Sequence, residues 1–254
     1  MSNIQILKKT LATDSVKNRF QEILGKKSAG FMTSIINVVN SSSYLQKCEP
    51  NTILGAAAVA AALDLPIDNN LGFAYIIPYG KQAQFQLGYK GFLQLALRSG
   101  QFLKINVIAI YEGQLKNCNP LTEEYQFDFT ITNTKIIGYV GYMKLINGFE
   151  KTVYWSLEKL LSHGKRFSKS YNSLWGDTKN GGQDAMCQKT ILKLMLAKYA
   201  PMSIEMQTAH RADQAIIKDI ENIEEVEYID NEKSEVVNSA ADFLSGDSEG
   251  ADEK

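Results

Sequence analysis

The spacing of apolar residues changes period twice along this chain, and that order admits few folds. From Asp14 to Leu63 the spacing is helical. Asp14 caps a segment that carries Val16, Phe20, Ile23 and Leu24 and stops at Gly25. Phe31, Ile35, Val38 and Val39 repeat the pattern up to the Ser41-Ser42-Ser43 break, and a third helix runs from about Asn51 to Leu63, rich in alanines that permit close packing. The middle then alternates with period two. Phe73, Tyr75, Ile77 and Tyr79 are followed by a Gly80-Lys81 turn and by Ala83, Phe85 and Leu87 interleaved with Gln82, Gln84 and Gln86. A short helix over 91–98 precedes further alternation at Leu103, Ile105, Val107, Ala109 and Tyr111, and at Tyr125, Phe127, Phe129 and Ile131. Residues 136–146 and 151–155 read as a hairpin around Asn147-Gly148. Helical spacing returns at 157–161, at 183–199 and at 203–217. Helices, then strands, then helices is an α+β order, not the βαβ alternation of a doubly wound fold. The expected architecture has N-terminal helices, a central, mainly antiparallel curved β-sheet, late helices packing on it, and a disordered acidic C-terminal tail.

Charge divides the chain at the same place as periodicity. Residues 1–218 carry 25 Lys+Arg against 15 Asp+Glu, a net of +10, while residues 219–254 carry 2 against 13, a net of −11. The overall −1 hides that contrast. A basic body over 1–218 and a flexible acidic tail over 219–254 point to a polyanionic partner, since positive potential recruits phosphates and the tail competes for the same surface. The alternatives are a solvated basic face and a solubility or docking tail. With 254 residues, 44% of them apolar, the chain can bury a sizeable core.

Several classes are set aside by what is missing. The longest nearly apolar run, 53–63, falls short of the roughly 18 residues of a membrane span. The first residues lack a secretory pattern. Cys48, Cys118 and Cys187 are too scattered for a disulfide framework or a zinc knuckle. Asn40-Ser41-Ser42 fits a glycosylation sequon, but nothing else suggests export. A reduced, cytoplasmic protein is expected. A P-loop is excluded, because Phe20 stands where the first glycine before Gly25-Lys26 is needed. His163 and His210 fit no metal-ligand spacing, and no cofactor is expected. Glu112 and Asp177 are the carboxylates from which a metal-dependent nuclease would have to be built; the alternative is helix caps and turns.

What is present is basic, aromatic and glycine-rich. In Gly88-Tyr89-Lys90-Gly91 a strand feeds a helix, whose first N–H groups can hold a phosphate beside Lys90. Tyr79 and Tyr89 can stack on bases of any sequence. Lys189 and Lys193, four residues apart, share one helix face, opposite an apolar set with Met186, Cys187, Ile191 and Leu194. With Lys81, Arg98, Lys144, Lys165 and Arg166 they make up the candidate nucleic-acid contacts. Each alone also reads as a solvated lysine or a core-edge tyrosine.

Ordered blocks then carry a resemblance: Cys48-Glu49-Pro50-Asn51-Thr52-Ile53-Leu54, Leu63-Asp64-Leu65-Pro66, the run from Asn70 to Gly80, Phe85-Gln86-Leu87-Gly88-Tyr89-Lys90-Gly91 and Leu97-Arg98-Ser99-Gly100. Trp175, Asp177, Met186, Lys189-Thr190 and Pro201-Met202-Ser203 follow. Together, over roughly 43–203, they resemble the RecT family of phage and prophage single-strand annealing recombinases. The resemblance implies an ATP-independent protein that coats single-stranded DNA as a homo-oligomeric ring or helical filament and pairs complementary strands through an annealed duplex intermediate, without bond chemistry. It implies a 5′→3′ exonuclease and the host single-strand-binding protein as partners, and it places Tyr89, Lys90 and Arg98 on one basic helix and Lys189 and Lys193 on another. In two places the chain departs from the pattern: Leu65-Pro66-Ile67-Asp68 replaces the commoner glycine-leucine-proline turn, and Leu97 stands where a second polar residue is frequent. A basic groove between sheet and late helices is the expected DNA track; a passive single-strand coat is the blander alternative to annealing, and a metal-dependent nuclease the alternative from another class.

Overall fold

The computed structural model describes residues 2–119, 121–168 and 171–228. The first third is helical: α1 (Asn3–Leu11), α2 (Asp14–Leu24), α3 (Ser28–Asn40) and α4 (Pro50–Ala62). Thr13 rather than Asp14 occupies the N-cap of α2. Helix α4 is the centre of this layer, buried at every residue from Thr52 to Ala61. Its methyl side chains let neighbours close in from all sides. The tightest approach is at Gly55, where a Cβ would stand 2.1 Å from the carbonyl oxygen of Ile217.

A hairpin of β1 (Ala74–Tyr79) and β2 (Gln82–Leu87) follows, turned at Gly80-Lys81 with Gly80 at φ 59°. Ala74 pairs with Leu87 and Ile76 with Phe85, and this buried face packs on α4. The other face sets Tyr75, Ile77 and Tyr79 opposite Gln86, Gln84 and Gln82. The aromatic residues of β1 therefore look away from the core. Helix α5 (Tyr89–Arg98) leads into a three-stranded sheet in the order β3 (Phe102–Tyr111), β6 (Ile136–Leu145), β7 (Glu150–Ser156). Its inner face receives α8 (Gly182–Tyr199), with Ile191 and Met195 against Gly141. Helix α6 (Leu157–Phe167) packs against β6, β7 and α8.

A second hairpin, β4 (Leu115–Asn119) and β5 (Glu124–Phe127), lays Tyr125 and Phe127 against Tyr154 of β7, with ring centroids 5.9 and 6.5 Å apart. β5 is shorter than its alternation suggests. At Asp128 the chain leaves the ladder, its N–H donating to Gln114 O at 2.8 Å, and Phe129 is exposed. Among the described residues all strand pairings are antiparallel, so the α+β order stands, with its strands divided among three sheets.

Helices α7 (Tyr171–Leu174) and α9 (Ile204–Ala212) complete the set. The spacing over 203–217 suggests a longer α9, but Gln214 takes φ 71° and the chain runs beside β2. There the Gln214 N–H donates to Phe85 O (2.8 Å) and the Phe85 N–H to Ala215 O (3.1 Å). Composition places residues 219–228 in the tail; the fold packs them on the body. Ile216 pairs with Glu227, Arg19 Nε donates to Ile220 O at 3.4 Å, and Ile220, Ile223 and Val226 pack half-buried on the core. Five acids in this stretch hide those three aliphatics from a reading by charge. The rest of the expected tail, 229–254, lies outside the described residues. Among the described residues no helix is long and apolar enough to cross a membrane.

Candidate nucleic-acid interface

A cleft of about 830 Å³ opens between the β1–β2 hairpin on one side and α6, α7 and α8 on the other. The hairpin contributes its outward face, with Ile77, Tyr79, Gln84 and Gln86. From α8 come Met186, Lys189, Thr190, Lys193, Leu194 and Ala197, one stripe of the helix, while Cys187, Ile191, Leu192 and Met195 turn into the core. Met186 and Leu194 thus share the lysines' face, contrary to the opposed apolar set that the sequence suggests. Helix α8 lies between cleft and core, so apolar residues are needed on both flanks.

The opposite wall is a run of rings. Trp155, at the end of β7, meets His163 edge-on at 5.6 Å, and His163 meets Phe167 at 4.7 Å. Trp175 closes the wall below, its ring on the bare backbone of Gly164, where a Cβ would come within 2.6 Å. Two side-chain nitrogens buried in the walls, Gln84 Nε2 and Trp175 Nε1, have no hydrogen-bond partner. Burial lowers the pKa of His163, and the nearby charges of Lys193 and Arg166 lower it further, so its ring is neutral at pH 7.

At the cleft floor two lysines share one carboxylate. Lys193 Nζ donates to Asp213 Oδ2 at 2.6 Å, and Lys189 Nζ lies 3.9 Å from Oδ1, which also accepts the Leu87 N–H at 2.9 Å. The Asp213 side chain is fully buried. Burial alone raises its pKa, but the two ammonium groups and the Leu87 N–H hold it below the usual aspartate value. Burial lowers Lys189, and Asp213 opposes that shift.

The other candidates lie at different distances from this floor. Tyr79 lines the cleft, and Lys165 and Arg166 stand exposed in the last turn of α6, Arg166 over the Phe167 ring at 5.1 Å. Lys81 is exposed on the hairpin turn, its carbonyl accepting the Glu49 N–H at 2.7 Å. Lys90 is exposed and Tyr89 half-buried at the start of α5. That helix start does not gape for a phosphate: the Gly88 N–H donates to Phe73 O at 2.8 Å, and a Cβ on Gly91 would meet the same oxygen at 2.2 Å. The glycines there admit the protein's own backbone. Arg98 is turned to the body, donating to Leu63 O and Asp64 O at 2.7 and 2.8 Å. Lys144 lies on the outer face of the main sheet, paired with Glu150. The carboxylates considered for a nuclease are engaged locally, Glu112 with Lys135 at 2.6 Å and Asp177 Oδ1 with the N–H of Asn180 at 2.9 Å. Among the described residues no group of three or more His, Cys, Asp or Glu is placed to hold a metal ion. Gln84, Trp155 and Asp213 were absent from the sequence-based set. The glutamine alternation of β2 was the one visible signal, since glutamines on a strand's free face need a polar neighbour or ligand.

Cations on the floor and flat rings on the wall equip a binder of strands that carry both phosphates and bases. The chain belongs to the RecT family, which it matches over residues 29–228. It is 48% identical over 236 residues to the uncharacterized protein YqaK of Bacillus subtilis (strain 168), covering 92% of this chain and 79% of that one. It is 26% identical over 189 residues to Protein RecT of Escherichia coli (strain K12), covering 67% of this chain and 65%, just under two thirds, of that relative. Family membership makes it a single-strand annealing protein of DNA recombination.

Proposed function

We propose that the cleft is the track for single-stranded DNA and that pairing of complementary strands there needs no nucleotide. Lys193, with Lys165 and Arg166 exposed on the last turn of α6, neutralises phosphates. The Trp155–His163–Phe167 wall and Tyr79 take bases by stacking, which tolerates any sequence. Protomers side by side, as a ring or helical filament, extend the track so that a second strand can test the exposed base edges. A 5′→3′ exonuclease that supplies single strands and a host single-strand-binding protein that surrenders them are the partners this chemistry calls for. The observation that carries the reading is the meeting of lysines from α8 and rings from β7 and α6 in one cleft of a RecT-family chain.

The test measures annealing of labelled complementary oligonucleotides without nucleotide, beside their spontaneous rate. Acceleration without ATP is expected. An unchanged or slower rate would mean a passive coat, and an ATP requirement would overturn the proposal. Lys193→Ala should lower the slope of log affinity against log salt by about 0.7, the share of one phosphate contact on a single strand.

A further inference from the structure

Three charges meet at the cleft floor, and only one of them faces outward to any extent. The Lys193 side chain is 36% exposed, that of Lys189 is 11% exposed, and that of Asp213 is not exposed at all. Lys189 is further enclosed by the Phe92 ring, 6.0 Å from its ammonium. Lys193, by contrast, lies on the cleft side of α8, within reach of solvent. Asp213 cannot rotate freely, because Oδ1 accepts the N–H of Leu87, the last residue of β2. Three elements are therefore pinned at one carboxylate: the end of β2, helix α8 and the turn after α9.

We infer that Lys189 is a positioning residue whose buried charge offsets Asp213, leaving the charge of Lys193 free to act on DNA. The inference rests on reading the cleft as the DNA track. With Lys189 in place, two ammonium groups face one carboxylate, and the group carries a single net positive charge through its exposed member. Without Lys189 the carboxylate cancels Lys193, and the floor becomes neutral although no exposed group has changed. Asp213 in turn aims Lys193 with its short contact, so that the remaining ammonium protons point away from the carboxylate. A residue 11% exposed has no route to a phosphate of its own, yet it sets the charge that a phosphate meets.

The experiment compares Lys193→Ala, Lys189→Met and the double variant Lys189→Met/Asp213→Asn with the wild type. Affinity for a fluorescein-labelled oligothymidine is read across a salt series, and thermal melting checks the fold. Lys193→Ala and Lys189→Met should each lower the slope by about 0.7. The double variant should restore the wild-type slope, because Lys193 then faces a neutral amide. A direct phosphate contact by Lys189 predicts no restoration, and a purely structural role predicts a lowered melting temperature in Lys189→Met with an unchanged slope. A wild-type slope in Lys189→Met, or a reduced slope in the double variant, would overturn the inference while leaving the cleft as the track. An unchanged slope in Lys193→Ala would remove the track and the inference together. If Lys189→Met does not fold, Lys189→Gln, which places a neutral polar end beside Asp213, takes its place, and a wild-type slope in that variant overturns the inference.

Discussion

The guanidinium of Arg98 holds two carbonyls at the end of α4, and Asp64, which follows that helix at φ 47°, also pairs with Lys27 at 3.0 Å. Cations at a helix C-terminus satisfy carbonyls that have no partner within the helix. Arg98→Ala should lower stability by about 1–2 kcal/mol, as expected for charged hydrogen bonds at a partly exposed site, and leave the salt slope of DNA binding unchanged; chemical denaturation and a salt series check the two halves. His163 and His210 give a second prediction at this scale. Both have lowered pKa values, burial being the main cause and the charge of Lys193 the next. The unfolded chain then takes up protons that the folded one refuses. Their contribution to stability is intact above the ordinary histidine value of about 6.5 and declines as pH falls through it. Urea midpoints should drop between pH 7.5 and 5.5, and His163→Phe should reduce that drop.

Among the elements, those set by short-range pattern were legible in the sequence. The β1–β2 hairpin, the turn at Asn147-Gly148 and helices α2 to α4 follow from alternation, glycine punctuation and helical spacing, each decided within a dozen residues. What could not be read depended on partners far away in the chain. The role of Arg98 hangs on carbonyls 34 and 35 positions earlier. The burial of Lys189 hangs on Asp213, which looked like one more residue of an amphipathic helix. The segment after α9 is the clearest case, since acids at every second or third position conceal Ile220, Ile223 and Val226. A chain cut after Lys218 should be about 2–3 kcal/mol less stable than a chain cut after Tyr228, through exposure of these half-buried aliphatics. Calorimetry on the two truncations distinguishes them.

At the scale of the whole molecule, the charge contrast moves with the revised boundary. Residues 229–254 carry 2 Lys and 8 Asp+Glu, a net of −6. The described chain ends at Tyr228, whose hydroxyl donates to Arg211 O and whose neighbours include Lys193 and Asp213. Tyr228 thus brings the end of the described chain near the basic floor. Removing 229–254 should therefore tighten single-strand binding most at low salt, with the gain shrinking as the screening length shortens. Superimposable salt curves for the two proteins would show that this segment does not compete for the cleft.

The seat of Ile217 on Gly55 has a consequence for the order in which the protein is made. A ribosome delivers residues at roughly 5–20 per second, so α4 waits on the order of 10–30 s for the strap after α9, residues 214–217, that completes its packing. During that interval the most apolar helix of the chain lies open on one side. Growing chains are then the form most in need of a chaperone, and mutations that slow the closing of the strap should show first as insoluble product during synthesis, before any defect is seen in the purified protein.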